Sequence, residues 1–106
     1  MTRIWVINPN TTRAMTEKIE ECAKAIVGSD ATVIGITSQI GPQSIESHYD
    51  EALSVPGVLQ AVQRGEREGV DGYVIARFGD PGLDAARGRP VRRRGARLCG
   101  YGRHVP

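Results

Sequence analysis

The sequence is poor in the residues that build metal centres and disulfide frameworks. It has two cysteines, Cys22 and Cys99, and two histidines, His48 and His104. No CxxC pair occurs, and neither histidine has a partner at ligand spacing. No metal site and no disulfide framework are expected. Aromatics are also scarce: one Trp, one Phe and three Tyr. No apolar run approaches the roughly 20 residues needed to span a bilayer. Met1 to Pro9 is too short, and lacks the apolar centre, for a secretory signal. The expectation is a soluble, cytoplasmic protein with no membrane partner.

A third absence is local. Residues 87–106 contain seven Arg and no Asp or Glu, a net charge of +7, although the whole chain carries only +2. Residues 1–76 carry 6 basic and 10 acidic side chains, and residues 77–86 carry Arg77, Asp80 and Asp84. The basic tail has only Val91, Leu98 and Val105 from the Leu/Ile/Val/Phe set. High charge with low hydrophobicity does not support a packed core. Arginines can bind nucleic acid through phosphates. Tyr101 is the one aromatic among them, however, and base stacking needs more, so a solvated tail is the plainer reading. The 106 residues leave room for one small domain, confined to residues 1–86.

Within that body, apolar residues alternate between two patterns. Arg3-Ile4-Trp5-Val6-Ile7 reads as a buried strand ending at the turn Asn8-Pro9-Asn10. Asn10, Thr11 and Thr12 offer side-chain oxygens for a helix N-cap. Met15, Ile19, Cys22 and Ile26 follow at helical spacing, up to Gly28. On that stripe Cys22 reads as a small core residue. Thr32 to Thr37 reads as a second buried strand, which makes a βαβ unit with a parallel pair. After the loop Gly41-Pro42-Gln43-Ser44, Ile45 to Ser54 can form a helical turn or two. Pro56 suits the first turn of a helix running to Glu68, with Gly69 as its stop. Tyr73 to Ala76 reads as a third strand. The fold class is α/β, a partial open parallel sheet of βαβαβ order. No helical or strand period survives beyond Arg87, so an irregular basic tail is expected over 87–106.

Ligands of open α/β sheets bind beyond the carboxyl ends of the strands. Those ends are Asn8-Pro9-Asn10-Thr11, Thr37-Ser38 and Arg77-Phe78-Gly79-Asp80. The first can hold an anionic or carbonyl oxygen on backbone N–H groups, or can be no more than a turn and a cap. In the third, Gly79 permits close backbone approach to a ligand, and Pro81-Gly82 stiffens the turn. An ordinary strand-to-helix connection is the alternative, with Asp80 as its cap. His48 follows Ser47 near a helix start and reads as solvent-facing; no nucleophile lies beside it.

Several stretches, in order, resemble one family. Ile4-Trp5-Val6-Ile7-Asn8-Pro9-Asn10-Thr11 looks like the opening of the hydantoin racemases, in the aspartate/glutamate/hydantoin racemase superfamily. Gly41-Pro42-Gln43-Ser44-Ile45-Glu46 with Tyr49-Asp50-Glu51-Ala52 resembles their second loop and helix. Asp71 to Ala76, then Phe78-Gly79-Asp80-Pro81-Gly82-Leu83-Asp84-Ala85-Ala86-Arg87, resembles their third strand and catalytic loop. The resemblance covers residues 3–87. It implies one flavodoxin-like lobe of two, with the active site between them. It also implies racemisation of a hydantoin, allantoin or amino-acid derivative without a cofactor. One cysteine thiolate takes the proton at the stereocentre, and a thiol of the other lobe returns one to the opposite face. Asn8, Asn10, Thr11, Phe78, Gly79 and Asp80 are then the expected substrate-binding residues, and backbone donors would stabilise the enolate-like intermediate.

The chain departs from the family pattern twice. The family's cysteine between the strand's Ala and the Phe-Gly-Asp-Pro-Gly loop is Arg77 here. Arginine stays protonated and offers no acceptor lone pair, so it cannot be the base. The second lobe and its cysteine are also missing, and Cys99 sits in no matching motif. The implied product is an inactive fragment. A half-lobe that holds a carboxylate or ureide without turning it over is the alternative, and nucleic-acid binding by the tail a further one. A frameshift near Arg87 accounts for the tail, because GC-rich coding sequence read out of frame yields Arg, Gly, Pro and Ala. Resequencing is expected to find a continuing racemase lobe in a neighbouring frame downstream of codon 87; its absence ends the idea.

Overall fold

The computed structural model describes residues 2–76 and 97–100. Five elements follow one another in the body: β1 (Thr2–Asn8), α1 (Arg13–Val27), β2 (Ala31–Thr37), α2 (His48–Glu68) and β3 (Gly72–Ile75). A sixth, β4 (Arg97–Gly100), completes a sheet of order β2-β1-β3-β4, parallel throughout. The expected βαβαβ sheet is present. The expectation of an irregular tail is corrected at Arg97–Gly100, which pairs with β3 over Gly72–Ile75. Strand addition uses backbone groups, and the outer side of β3 offers them whatever side chains the incoming segment carries. Among the described residues, no helix is long and apolar enough to cross a membrane.

Alternation along the strands sorts the sheet into two faces. Trp5, Ile7, Ile36, Tyr73 and Ile75 point to the α2 side and form the core with Val58, Ala61, Val62 and Val70. Trp5 and Tyr73 meet edge to face at 6.5 Å, and the Arg64 guanidinium lies 5.1 Å from the Trp5 ring centroid. Tyr73 donates to the Val62 carbonyl at 3.3 Å. Burial first, and Glu66 second, push its hydroxyl above the ordinary phenol range, so it remains a neutral donor.

α2 is one continuous helix. Ser47 caps it, its hydroxyl accepting from the Asp50 N–H at 3.2 Å. Pro56 therefore lies inside the helix, not at its start as its sequence position suggests. Packing outweighs the backbone hydrogen bond that proline forfeits: Ser54 and Val58, on either side, are fully buried. Gly69 ends the helix as expected. His48 is fully exposed, also as expected.

α1 is rotated relative to its apolar stripe. Thr16 is its buried residue, with Ile19, Glu20, Ala23 and Val27 half-buried beside it. Met15 and Ile26 are 49% and 86% exposed, and Cys22 is exposed, which corrects its placement in the core. The cause is steric. Small groups at Thr16 and Gly35 let α1 settle over β2. The displaced stripe then faces an apolar cleft of about 450 Å³, floored by Ile4, Val6, Val33 and Val74.

Gly65 marks the closest approach of α2 to the sheet. A Cβ there would stand 2.5 Å from Tyr73 Cε1 and 2.7 Å from its hydroxyl oxygen. In an open helix, Gly→Ala stabilises by about 1 kcal/mol. Here the Tyr73 ring is locked against Trp5 and has nowhere to go. Gly65→Ala is expected to destabilise the chain by about 1–3 kcal/mol, the usual cost of overpacking. A urea midpoint equal to or above that of the parent chain would contradict this.

Candidate functional site

The carboxyl ends of β1 and β2 meet in a set of polar side chains, most of them buried. Asn8 closes β1 and is 2% exposed. Its Nδ2 donates to the Thr12 carbonyl at 3.1 Å and to Thr16 Oγ1 at 3.0 Å. Its Oδ1 accepts from the Asn10 N–H at 3.2 Å. Its main-chain carbonyl accepts from the Ser38 N–H at 3.2 Å and the Ser38 hydroxyl at 2.8 Å. Thr37 Oγ1 lies 2.7 Å from Thr16 Oγ1, so the end of β2 joins the same network. One amide thus ties β1 to the first turn of α1 and, through Thr16, to β2.

The next three residues extend the network. Asn10 Oδ1 accepts from the Thr12 N–H at 2.9 Å, and its Nδ2 points to Met15 Sδ at 3.5 Å. Thr11 N–H donates to the Pro42 carbonyl at 3.0 Å, and the Thr12 hydroxyl to the Gln43 carbonyl at 2.7 Å. The loop after β2 is therefore strapped across the loop after β1. Thr12 is the N-cap of α1 but makes no side-chain cap bond, because its hydroxyl is committed to that strap. The expected cap is replaced by a tertiary contact.

The structure brings Asn8, Asn10 and Thr11 together. Asn8 has spent both amide hydrogens and Asn10 is 6% exposed, so their side chains hold the loop in shape. Thr11 borders an open polar cavity of about 590 Å³, with Arg13, Thr37, Ser38 and Arg64 around it. Arg77, Phe78, Gly79 and Asp80 lie outside the described residues, as do residues 81–96 and 101–106. The chain leaves β3 beside this site, since Ala76 N–H donates to the Ile7 carbonyl at 2.9 Å. Ser38 was reached from the sequence only as the end of the second strand, and Thr16 was not reached at all. The available signal was a hydroxyl inside an apolar helical period, at Thr16. Among the described residues, no group of three His, Cys, Asp or Glu is placed to hold a metal ion.

The family model for Asp/Glu/hydantoin racemases matches residues 4–91. The chain belongs to that racemase family. A hydantoin racemase from Pseudomonas sp. (strain NS671) is 56% identical over 85 residues, which are 80% of this chain and 34% of that protein. Allantoin racemase from Klebsiella pneumoniae superposes with a TM-score of 0.79 at 49% identity, over 82% of this chain and 36% of that one. Allantoin racemase from Pseudomonas fluorescens gives 0.82 at 25% identity, over 93% and 40%. The chain thus spans roughly 34–40% of the length of these racemases.

Truncating Asn8 should show its structural role directly. Asn8→Ala leaves the Thr12 carbonyl, the Asn10 N–H and the Thr16 hydroxyl short of a partner in a largely buried site. The expected loss is about 1–3 kcal/mol, read as a lower urea midpoint. An unchanged midpoint would mean that water replaces the amide at no cost.

Proposed function

We propose that residues 1–86 are an incomplete first lobe of a cofactor-independent racemase for hydantoins or related ureides, and that the chain is catalytically inactive alone. The family match over residues 4–91 carries the reaction class. The inactivity follows from two residues of chemistry. Racemisation at carbon needs a base on one face and an acid on the other. The position expected to supply the first is Arg77, a permanent cation without a lone pair. The second belongs to a lobe outside this length of chain. A frameshift near codon 87 remains the proposed origin of residues 87–106.

The preformed part of the site fits this role. Racemisation draws negative charge onto a carbonyl oxygen next to the stereocentre, and fixed donors at strand ends stabilise it best. The internal bonding of Asn8 and Asn10 holds the loop after β1 rigid, as such preorganisation requires. The same bonding weakens the alternative of a ligand-binding half-lobe, because the Asn8 amide has no hydrogen left for a ligand.

Polarimetry on an enantiopure 5-substituted hydantoin tests the reading. The purified chain should leave the optical rotation unchanged beyond the solvent background. Arg77→Cys should also remain inactive, because it restores one thiol of the two. Turnover by either protein would overturn the proposal.

A further inference from the structure

β2 is one margin of the sheet: the order β2-β1-β3-β4 gives it a neighbour on one side only among the described residues. It runs seven residues in unbroken register with β1, without a bulge. Its sequence, Ala31-Thr32-Val33-Ile34-Gly35-Ile36-Thr37, holds no charge and no proline. A long, flat, uncharged edge pairs with other strands unless something stops it, and the common stops are lysine, proline and bulges. None of those is present in β2.

The stop comes instead from α1. Glu20 leans over the strand, and its Oε2 accepts the Gly35 N–H. That N–H points away from β1, since Glu20 holds it, so it belongs to the set an incoming strand would use. Gly35 makes the approach possible. A Cβ at that position would lie 2.9 Å from both Glu20 Oε2 and Thr16 Cγ2. Lys24 secures the other carboxylate oxygen at 2.9 Å. Beside the strand lies the polar cavity of about 590 Å³, lined by Gly35, Ile36 and Thr37 of β2.

We infer that Glu20 is an edge guard, whose carboxylate blocks pairing of β2 with the β2 strand of a second copy of this chain. The second copy is the fitting partner because the strand is uncharged along its length, so two antiparallel copies meet no like charges in any register. The guard responds to pH. Its carboxyl is held below the usual carboxylate range, mainly by the Gly35 N–H and then by Lys24. The other charged groups around it are Arg13 and Glu17 on α1 and Arg64 on α2; β2 contributes none. A lowered folded-state value means the guard is complete above the ordinary carboxylate range and is lost as pH falls through the lowered value.

Sedimentation velocity on the full chain over a hundredfold range of concentration tests this, with hydrogen exchange at Gly35 and Thr37. Glu20→Ala should add a concentration-dependent dimer and protect both amides in it. Lys24→Ala, which keeps the carboxylate, should sediment as the parent chain does. Glu20→Ala sedimenting as the parent chain, with faster exchange at Gly35, overturns the inference. If Glu20→Ala loses its helical circular dichroism, the parent chain is titrated with acid instead. A Gly35 amide shift and dimer growth with one shared midpoint below the usual carboxylate range support the guard; a Gly35 amide that ignores the titration overturns it.

Discussion

The structure depends most on a buried side-chain amide. A parallel sheet leaves each strand to end in a loop, and each such loop carries backbone groups that the ladder no longer satisfies. Asn8 stands where two of these loops meet. Its amide holds Thr12 and Thr16, its own carbonyl holds Ser38, and Thr16 passes the connection to Thr37. Charge would be costly to bury there, and an apolar side chain would strand several donors and acceptors. An amide supplies both functions without charge. The loop that the family match marks as part of a racemase is rigid for this reason.

The fold was legible where one rule acted alone. Strand, helix, strand with the right turn residues at Asn8-Pro9-Asn10 and Gly69 led to the parallel sheet. Legibility failed where tertiary contacts competed with a local rule. Pro56 marks a helix start by propensity, yet burial of Ser54 and Val58 carries α2 through it. Met15, Cys22 and Ile26 form an apolar stripe by period, yet Thr16 and Gly35 pull the helix over β2 and turn that stripe aside. At the site, Asn8, Asn10 and Thr11 were found through turn and cap chemistry. Their mutual bonding was not, because it depends on Thr16 and Ser38, which arrive from other elements.

The two margins of the sheet are handled differently. At one, β3 gains Arg97–Gly100 as a neighbour from a segment whose composition gave no hint of a strand. At the other, β2 is shielded by a carboxylate from the helix that precedes it in sequence. Both outcomes follow from the same need, the satisfaction of outward backbone groups, met once by strand addition and once by a side chain.

The cleft beside α1 has a thermodynamic side. Apolar surface that stays wet in the folded state adds nothing to the heat-capacity increase of unfolding. With Ile4, Val74 and the stripe of α1 only partly shielded from water, that heat-capacity change is smaller than the chain length alone implies. The curve of stability against temperature is therefore flatter. Warming and cooling change the stability of the chain less steeply, and the hydrophobic contribution that α1 does not collect lies in the surface that Ile19, Cys22 and Ile26 overlook.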